Sequence, residues 1–182
     1  MEENAVMGNG VGGVNIRELT PGDAETFREL RLRCLREHPN LFGADVDESE
    51  IRYRDPDSLA RMLKAGLDQF ILGAFDSKQN LIGLAGFYRQ KEKKMQHKGS
   101  LWGMYIAPEA RGSALGQTLL KEVLLRCRRL PGLEQIQLCV ATENAPAKRL
   151  YEAMGFTVYG REKEAMKLGD RYIDEEHMVL RL

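Results

Sequence analysis

The stretch Met104-Tyr105-Ile106-Ala107-Pro108-Glu109-Ala110-Arg111-Gly112-Ser113-Ala114-Leu115-Gly116-Gln117-Thr118-Leu119-Leu120 passes from a strand, through a proline stop and a turn of small residues, into a helix. Such a turn aims several backbone N–H groups one way at a helix N-terminus, where unpaired donors and the helix dipole together favour a diphosphate. Gly112, Ser113, Ala114 and Gly116 keep bulky side chains away from that space. A Walker P-loop needs a lysine and a hydroxyl directly after its last glycine. Gln117 follows Gly116 instead, which argues against an NTPase.

On the C-terminal side, Leu115, Leu119, Leu120, Val123, Leu124 and Cys127 recur at helical spacing between about Ser113 and Arg128, and Pro131-Gly132 closes the helix. Ile136 to Val140 is continuously apolar, as a strand buried on both faces should be. With the strand Ser100 to Ile106 it completes a βαβ unit with two parallel strands. A helix over Ala145 to Met154 ends at Gly155, and strands over Phe156 to Arg161 and Tyr172 to Arg181 follow.

Upstream, Val14 to Leu19 reads as a strand. The turn Thr20-Pro21-Gly22-Asp23 then offers Asp23 as N-cap to a helix whose apolar face is Phe27, Leu30 and Cys34 and which His38-Pro39-Asn40 ends. An acidic stretch around Asp45 to Glu50 precedes a second helix near Pro56 to Lys64. Gln69 to Phe75 and Leu81 to Tyr88 flank the polar turn Asp76 to Asn80 as a hairpin. Residues 1–13 carry four glycines and read as a mobile leader, with one domain over 14–182. The expected order is β-α-α-β-β-β-α-β-α-β-β, an α/β (α+β) domain with a mixed central sheet flanked by helices.

The chain has 182 residues, enough for one domain burying about 70% of its unfolded surface. Lysine plus arginine balance aspartate plus glutamate at 27 each, so no global field draws nucleic acid or an anionic membrane. No stretch approaches the roughly 18 consecutive apolar residues of a membrane span. Cys34, Cys127 and Cys139 form no paired motif, which argues against a zinc cluster and for buried thiols in a reducing, cytoplasmic setting.

The segment Arg111 to Gly116 resembles the acyl-CoA signature Gln/Arg-x-x-Gly-x-Gly/Ala of the GCN5-related N-acetyltransferase (GNAT) superfamily, with Ala114 where that family usually has glycine. Glu143-Asn144-Ala145-Pro146-Ala147-Lys148-Arg149-Leu150-Tyr151-Glu152-Ala153-Met154-Gly155-Phe156 is similar to its Asn-x-x-Ala-x-x-Leu-Tyr-x-x-x-Gly-Phe motif. Together the two cover roughly residues 14–182 once flanking elements are included. The resemblance implies acetyl-CoA as donor, no metal and a primary amine as acceptor. It implies that the N–H of Met104 polarises the thioester and that Ile106 pairs the pantetheine arm beside Tyr105. Arg111, Gly112, Ser113, Ala114, Leu115, Gly116 and Gln117 would cradle the diphosphate, and Asn144 and Ala147 would border the cofactor. Asn144 is also a natural helix cap. Tyr151 would protonate the departing thiolate, a role suited to a phenol of reference pKa near 10.

A base for the amine is not fixed by these motifs. Ser100 stands where some relatives have a strand glutamate, leaving His97, Glu143, Glu175 and His177 as candidates. Acceptor choice is expected in Leu41-Phe42-Gly43 to Glu50, where Asp45, Asp47, Glu48 and Glu50 would attract a cation, and in the loop Gln90 to Lys98. The alternatives are a CoA-sensing module without turnover and a nucleotide-binding switch. Acceptor, oligomeric state and pathway stay open.

Overall fold

The computed structural model describes residues 13–64 and 66–182; residues 1–12, where the leader is expected, lie outside them. Seven strands form one sheet: β1 (Asn15–Glu18), β2 (Gln69–Phe75), β3 (Leu81–Arg89), β4 (Lys98–Ile106), β5 (Gln135–Ala141), β6 (Thr157–Leu168) and β7 (Arg171–Arg181). Their order is β1-β2-β3-β4-β5-β7-β6. Every pairing is antiparallel except β4 with β5, the parallel pair expected from the βαβ reading. The helices are α1 (Ala24–Glu37), α2 (Val46–Arg52), α3 (Pro56–Met62), α4 (Leu115–Cys127) and α5 (Ala145–Ala153).

Alternation along the strands divides the apolar side chains between two cores. Phe70, Leu72, Ala85, Phe87 and Leu101 face α4, whose Leu119, Leu120, Val123 and Leu124 are fully buried. Each such side chain contributes about 1.5–3 kcal/mol. On the other face Ile71, Phe75 and Leu84 pack beneath Phe27, Leu30 and Cys34 of α1 and Leu59 of α3. Cys34 and Cys127 are buried as expected.

Four expectations are corrected. The acidic stretch is itself a helix, α2, because the Asp45 carboxylate accepts from the N–H groups of Asp47 and Glu48 and caps it. Asp23 does stand at the N-cap of α1, but its carboxylate turns away from that helix to Arg17 and Thr20. The strand after Gly155 runs to Leu168, pairing with β7 across two register shifts. Finally, β5 is not covered on both faces: Cys139 is exposed and Gln137 only half-buried, because the β4–β5 ladder holds only at Lys98, Gly99 and Ser100. Beyond Ser100 the two strands part, and the cavities described next lie in that fork.

Candidate functional site

In β4 the site begins with a bulge. Leu84 of β3 faces Tyr105, but Gly86 faces Trp102, so β4 carries one extra residue at Gly103–Met104. Gly103 adopts φ +64°, the left-handed conformation of a glycine bulge. The extra residue reverses the alternation. Leu101 faces the α4 core, and without the bulge Tyr105 would do the same. Instead Tyr105 joins Trp102 on the α1 side, while Met104 and Ile106 turn toward α4. Nothing in the apolar pattern marks this switch; Gly103 itself is the available signal.

Tyr105 lines the cleft with its ring, but its hydroxyl donates to Glu37 Oε2 of α1 at 2.5 Å. Burial, and then the Glu37 bond, raise its pKa. Two nitrogens of Arg33 grip Glu109 at 2.7 and 2.8 Å and hold that exposed carboxyl at a pKa of about 2. Both ties fix the entrance of the turn against α1.

The turn is built from left-handed residues, Gly112 at φ +80° and Ala114 at φ +57°. The Arg111 N–H bonds the Pro108 carbonyl, and helical pairing resumes when Thr118 N donates to Ala114 O at 3.0 Å. Between them, the amides from Gly112 through Gln117 donate to no acceptor among the described residues. They form a run of free donors at a helix N-terminus, the arrangement that suits an anion. Ala114 thus adopts the left-handed conformation that glycine favours. Ser113 Oγ is bound to Ala110 O at 2.7 Å, Leu115 is core, and Gln117 is exposed, so these three contribute backbone rather than side chain.

Beside the turn lies a cleft of about 520 Å³. Met104, Tyr105, Ile106, Arg111 and Gly116 line one side, and Asn144, Ala147 and Leu150 the other. A Cβ on Gly116 would sit 3.6 Å from both Ile106 and Leu150, so this glycine keeps the cleft floor low. Arg111 is exposed, its Nε donating to Ile106 O at 2.9 Å and its Nη2 lying 3.0 Å from His38 Nε2. The Asn144 side chain caps α5 by accepting from Ala147 N at 3.3 Å. These residues fit a diphosphate at the turn and an extended apolar arm along Met104 and Ile106.

Tyr151 is not among the lining residues. It is buried, with its ring centroid 5.8 Å from that of Phe156 and its neighbour Leu150 facing the cleft. Burial raises its pKa, and its hydroxyl has no hydrogen-bond partner among the described residues. The candidate bases also separate. His97 borders neither cavity of the fork. Glu143 lines the cleft but is engaged by Asn40 and Arg171.

Glu175 and His177 line a second cavity, of about 360 Å³, on the far side of Phe42. There His177 Nε2 lies 3.1 Å from Glu162 Oε2 and its Nδ1 lies 3.3 Å from Cys139 Sγ. A carboxylate only accepts, so Nε2 donates to Glu162 while Nδ1 faces the Cys139 sulfur. Burial raises the pKa of Glu175 and that of the Cys139 thiol.

Of the stretch expected to govern acceptor choice, Leu41, Phe42 and Gly43 line this second cavity, and Asp45, Asp47, Glu48 and Glu50 do not. The loop Gln90 to Lys98 borders a separate surface hollow with Arg61 and Asp68. Sequence reasoning missed His38 and Asn40 in the cleft, and Arg31, Trp102 and Tyr159 in the second cavity. Among the described residues, no group of three or more His, Cys, Asp or Glu could hold a metal ion, and no helix is long and apolar enough to cross a membrane.

Comparison with known proteins gives the same lineage. The Acetyltransferase (GNAT) family pattern matches residues 24–156. Spermidine N(1)-acetyltransferase of Vibrio cholerae is 33% identical over 105 residues, covering 58% of this chain and 59% of that protein. Mycothiol acetyltransferase of Thermobispora bispora is 29% identical over 151 residues, covering 80% of this chain and 47% of that protein. The chain thus spans about half the length of these curated relatives. A GNAT-family acetyltransferase from Streptococcus pneumoniae superposes with a TM-score of 0.79 at 25% identity, covering 93% of this chain and 99% of that one. A putative acetyltransferase, yncA, of Salmonella typhimurium, solved with its cofactor acetyl-CoA, superposes at 0.73 and 22% identity, covering 93% and 94% of the two chains. With the family pattern spanning most of the sequence and the free-amide turn lying inside it, the chain belongs to the acetyltransferase (GNAT) family.

Proposed function

We propose that the protein transfers the acetyl group of acetyl-CoA to a primary amine by direct attack. The observation that supports this best is the run of free amides from Gly112 through Gln117 at the end of a cleft bordered by Met104, Ile106, Asn144 and Ala147. Acetyl-CoA supplies an acetyl thioester. The amides of the turn and Arg111 hold its diphosphate, and Met104 and Ile106 orient its arm. The resemblance assigns the Met104 N–H to the thioester carbonyl, and the bulge that interrupts the ladder at Gly103–Met104 supports that reading.

Glu175 faces the amine in the second cavity and takes its proton, with His177 beside it held by Glu162 and Cys139. The nitrogen lone pair then forms the C–N bond as the C–S bond breaks. Tyr151 returns a proton to the leaving sulfur. Its place after Leu150, which faces the cleft, and its unpartnered hydroxyl support that role. The alternative, a CoA-sensing module without turnover, is suggested by Ala114 and by Ser100 standing in place of a strand carboxylate; Ala114 adopts the left-handed conformation of a glycine, which favours the catalytic reading, while Ser100 leaves the alternative to the turnover test.

Melting with ligand tests the donor, and thiol release with an amine panel tests the reaction. CoA at about 100 times its dissociation constant should add roughly 2.7 kcal/mol to stability. A melting temperature moved by ATP but not by CoA would overturn the donor assignment, and CoA binding without thiol release for any amine would favour the sensing module.

A further inference from the structure

The helix α1 carries four arginines in one turn-by-turn series, and their fates differ. Arg28 pairs with Glu25, Arg33 with Glu37 and Glu109, and Arg36 with Glu50. These three lie at or near the surface. Arg31 alone is buried, 5% exposed, and it pairs with no carboxylate among the described residues. Its Nε is buried without a hydrogen-bond partner, and Nη1 has only the Cys34 sulfur at 3.9 Å. The rings of Phe42 and Trp102 flank the guanidinium at 5.2 and 5.9 Å. Aromatic faces stabilise a cation only in part, and a buried charge without a counter-ion is strongly unfavourable.

That guanidinium lines the second cavity and lies beside the β4 bulge, its Nη1 3.6 Å from where a Cβ on Gly103 would stand. It therefore faces the acceptor side of the fork, next to Met104. The strands β5 and β7 supply the rest of the wall, with Glu175 and the Glu162-oriented His177. One cavity thus offers an unpaired cation and, from a different part of the sheet, groups suited to an ammonium.

We propose that this cavity selects a primary amine bearing a nearby carboxylate, an α-amino-acid-type acceptor whose carboxylate pairs with Arg31 while its amine meets Glu175 and His177. The assignment rests on the acetyltransferase reading above and names the acceptor class for it. Bond changes are those of that reaction: the amine nitrogen gains the acetyl carbon, the thioester C–S bond breaks, the amine proton goes to Glu175 and the thiolate is protonated. The carboxylate remains unreacted and serves as the anchor. A guanidinium fork is matched to it by two parallel hydrogen bonds. Phe42, Trp102 and Tyr159 leave an aromatic surround for the acceptor's side chain.

Thiol release would be measured for the standard α-amino acids, each beside its carboxamide and its decarboxylated amine, and for spermidine. At least one amino acid should exceed its carboxamide and its amine by roughly 10²-fold in kcat/KM, the size of a lost charged hydrogen-bond pair. Arg31→Met should bring that ratio near one, chiefly through KM, and should melt no lower than wild type without acceptor, since it removes an unpaired buried charge. Arg31→Lys should keep part of the preference. Equal rates for amino acids and carboxamides, or spermidine as the sole acceptor, overturn the proposal while leaving acetyl transfer standing. So does an Arg31→Met protein that melts much lower yet keeps the preference. Failure of every amine overturns the acceptor class as well, and the CoA melting shift reports separately on the donor reading.

Discussion

Ala114 occupies φ +57° and ψ +8° with a side chain that disfavours that region by about 1–2 kcal/mol. Glycine there would remove the strain but add freedom to the unfolded chain. Ala114→Gly should therefore stabilise the protein by about 0.5–1 kcal/mol in urea denaturation, with CoA affinity changed only modestly. A loss of stability would show that the alanine methyl has a packing role. Tyr151 tests the mechanism rather than the scaffold. Tyr151→Phe keeps the ring against Phe156 and should leave CoA affinity close to wild type while lowering turnover roughly 10²–10⁴-fold. Because burial raises the phenol pKa, the alkaline decline due to its ionisation should fall above pH 10, beyond the range of an exposed tyrosine, and be absent in the variant. Wild-type turnover in the phenylalanine protein would return Tyr151 to the core.

The strand β4 is where one residue decides a whole face. Gly103 at φ +64° absorbs the extra residue that sends Tyr105 toward α1 and Met104 and Ile106 toward the cleft. A β-branched residue is a genuine outlier at positive φ. Gly103→Val should lower stability by about 2 kcal/mol or more, read by melting, and weaken CoA binding in calorimetry even in whatever fraction folds. Wild-type affinity in a folded valine variant would detach the bulge from donor binding. The neighbouring elements were easier to read. Leu119, Leu120, Val123, Leu124 and Cys127 repeat along one stripe of α4, and that stripe is what the sheet covers. In α2 the polar composition hid a helix, because its stability comes from the Asp45 cap more than from an apolar stripe.

Across the molecule, three parallel pairs join the β1–β4 part of the sheet to the β5–β7–β6 part, and the two cavities occupy the fork beyond them. Side chains tie the pieces around it: Lys148 of α5 meets Glu176 of β7 at 2.8 Å, and Glu143 links Asn40 to Arg171. At the other edge Arg17 of β1 holds Asp23 with bonds of 2.6 and 2.8 Å and, with Thr20, brings its pKa down to about 2. A depressed carboxyl pKa adds stability above the unfolded value near 4 and loses it as pH falls through about 2. Arg17 is partly exposed, so the discounted contribution is about 1 kcal/mol. Asp23→Asn should cost about that much at pH 7 in urea denaturation, and the gap to wild type should close toward pH 2. A gap unchanged with pH would mean that the shape of the side chain, not its charge, matters there.

The amino-acid sequence by itself determined the strand–turn–helix from Met104 to Leu120, the parallel βαβ arrangement and the Asn144 cap, because each is built from residues close together in the chain. Its hydrophobic spacing also marked which residues are buried. It did not determine which buried or polar residues meet. Arg31, Trp102 and His177 come from α1, β4 and β7, and only the parting of β4 from β5 places them around one cavity. The same fork exposed Cys139, whose apolar neighbours signalled burial, and the bulge at Gly103 reassigned the faces of β4. Periodicity records the solvent exposure of a position, whereas partnership across the fold is fixed by register and by where strands separate, and those are properties of the packed sheet.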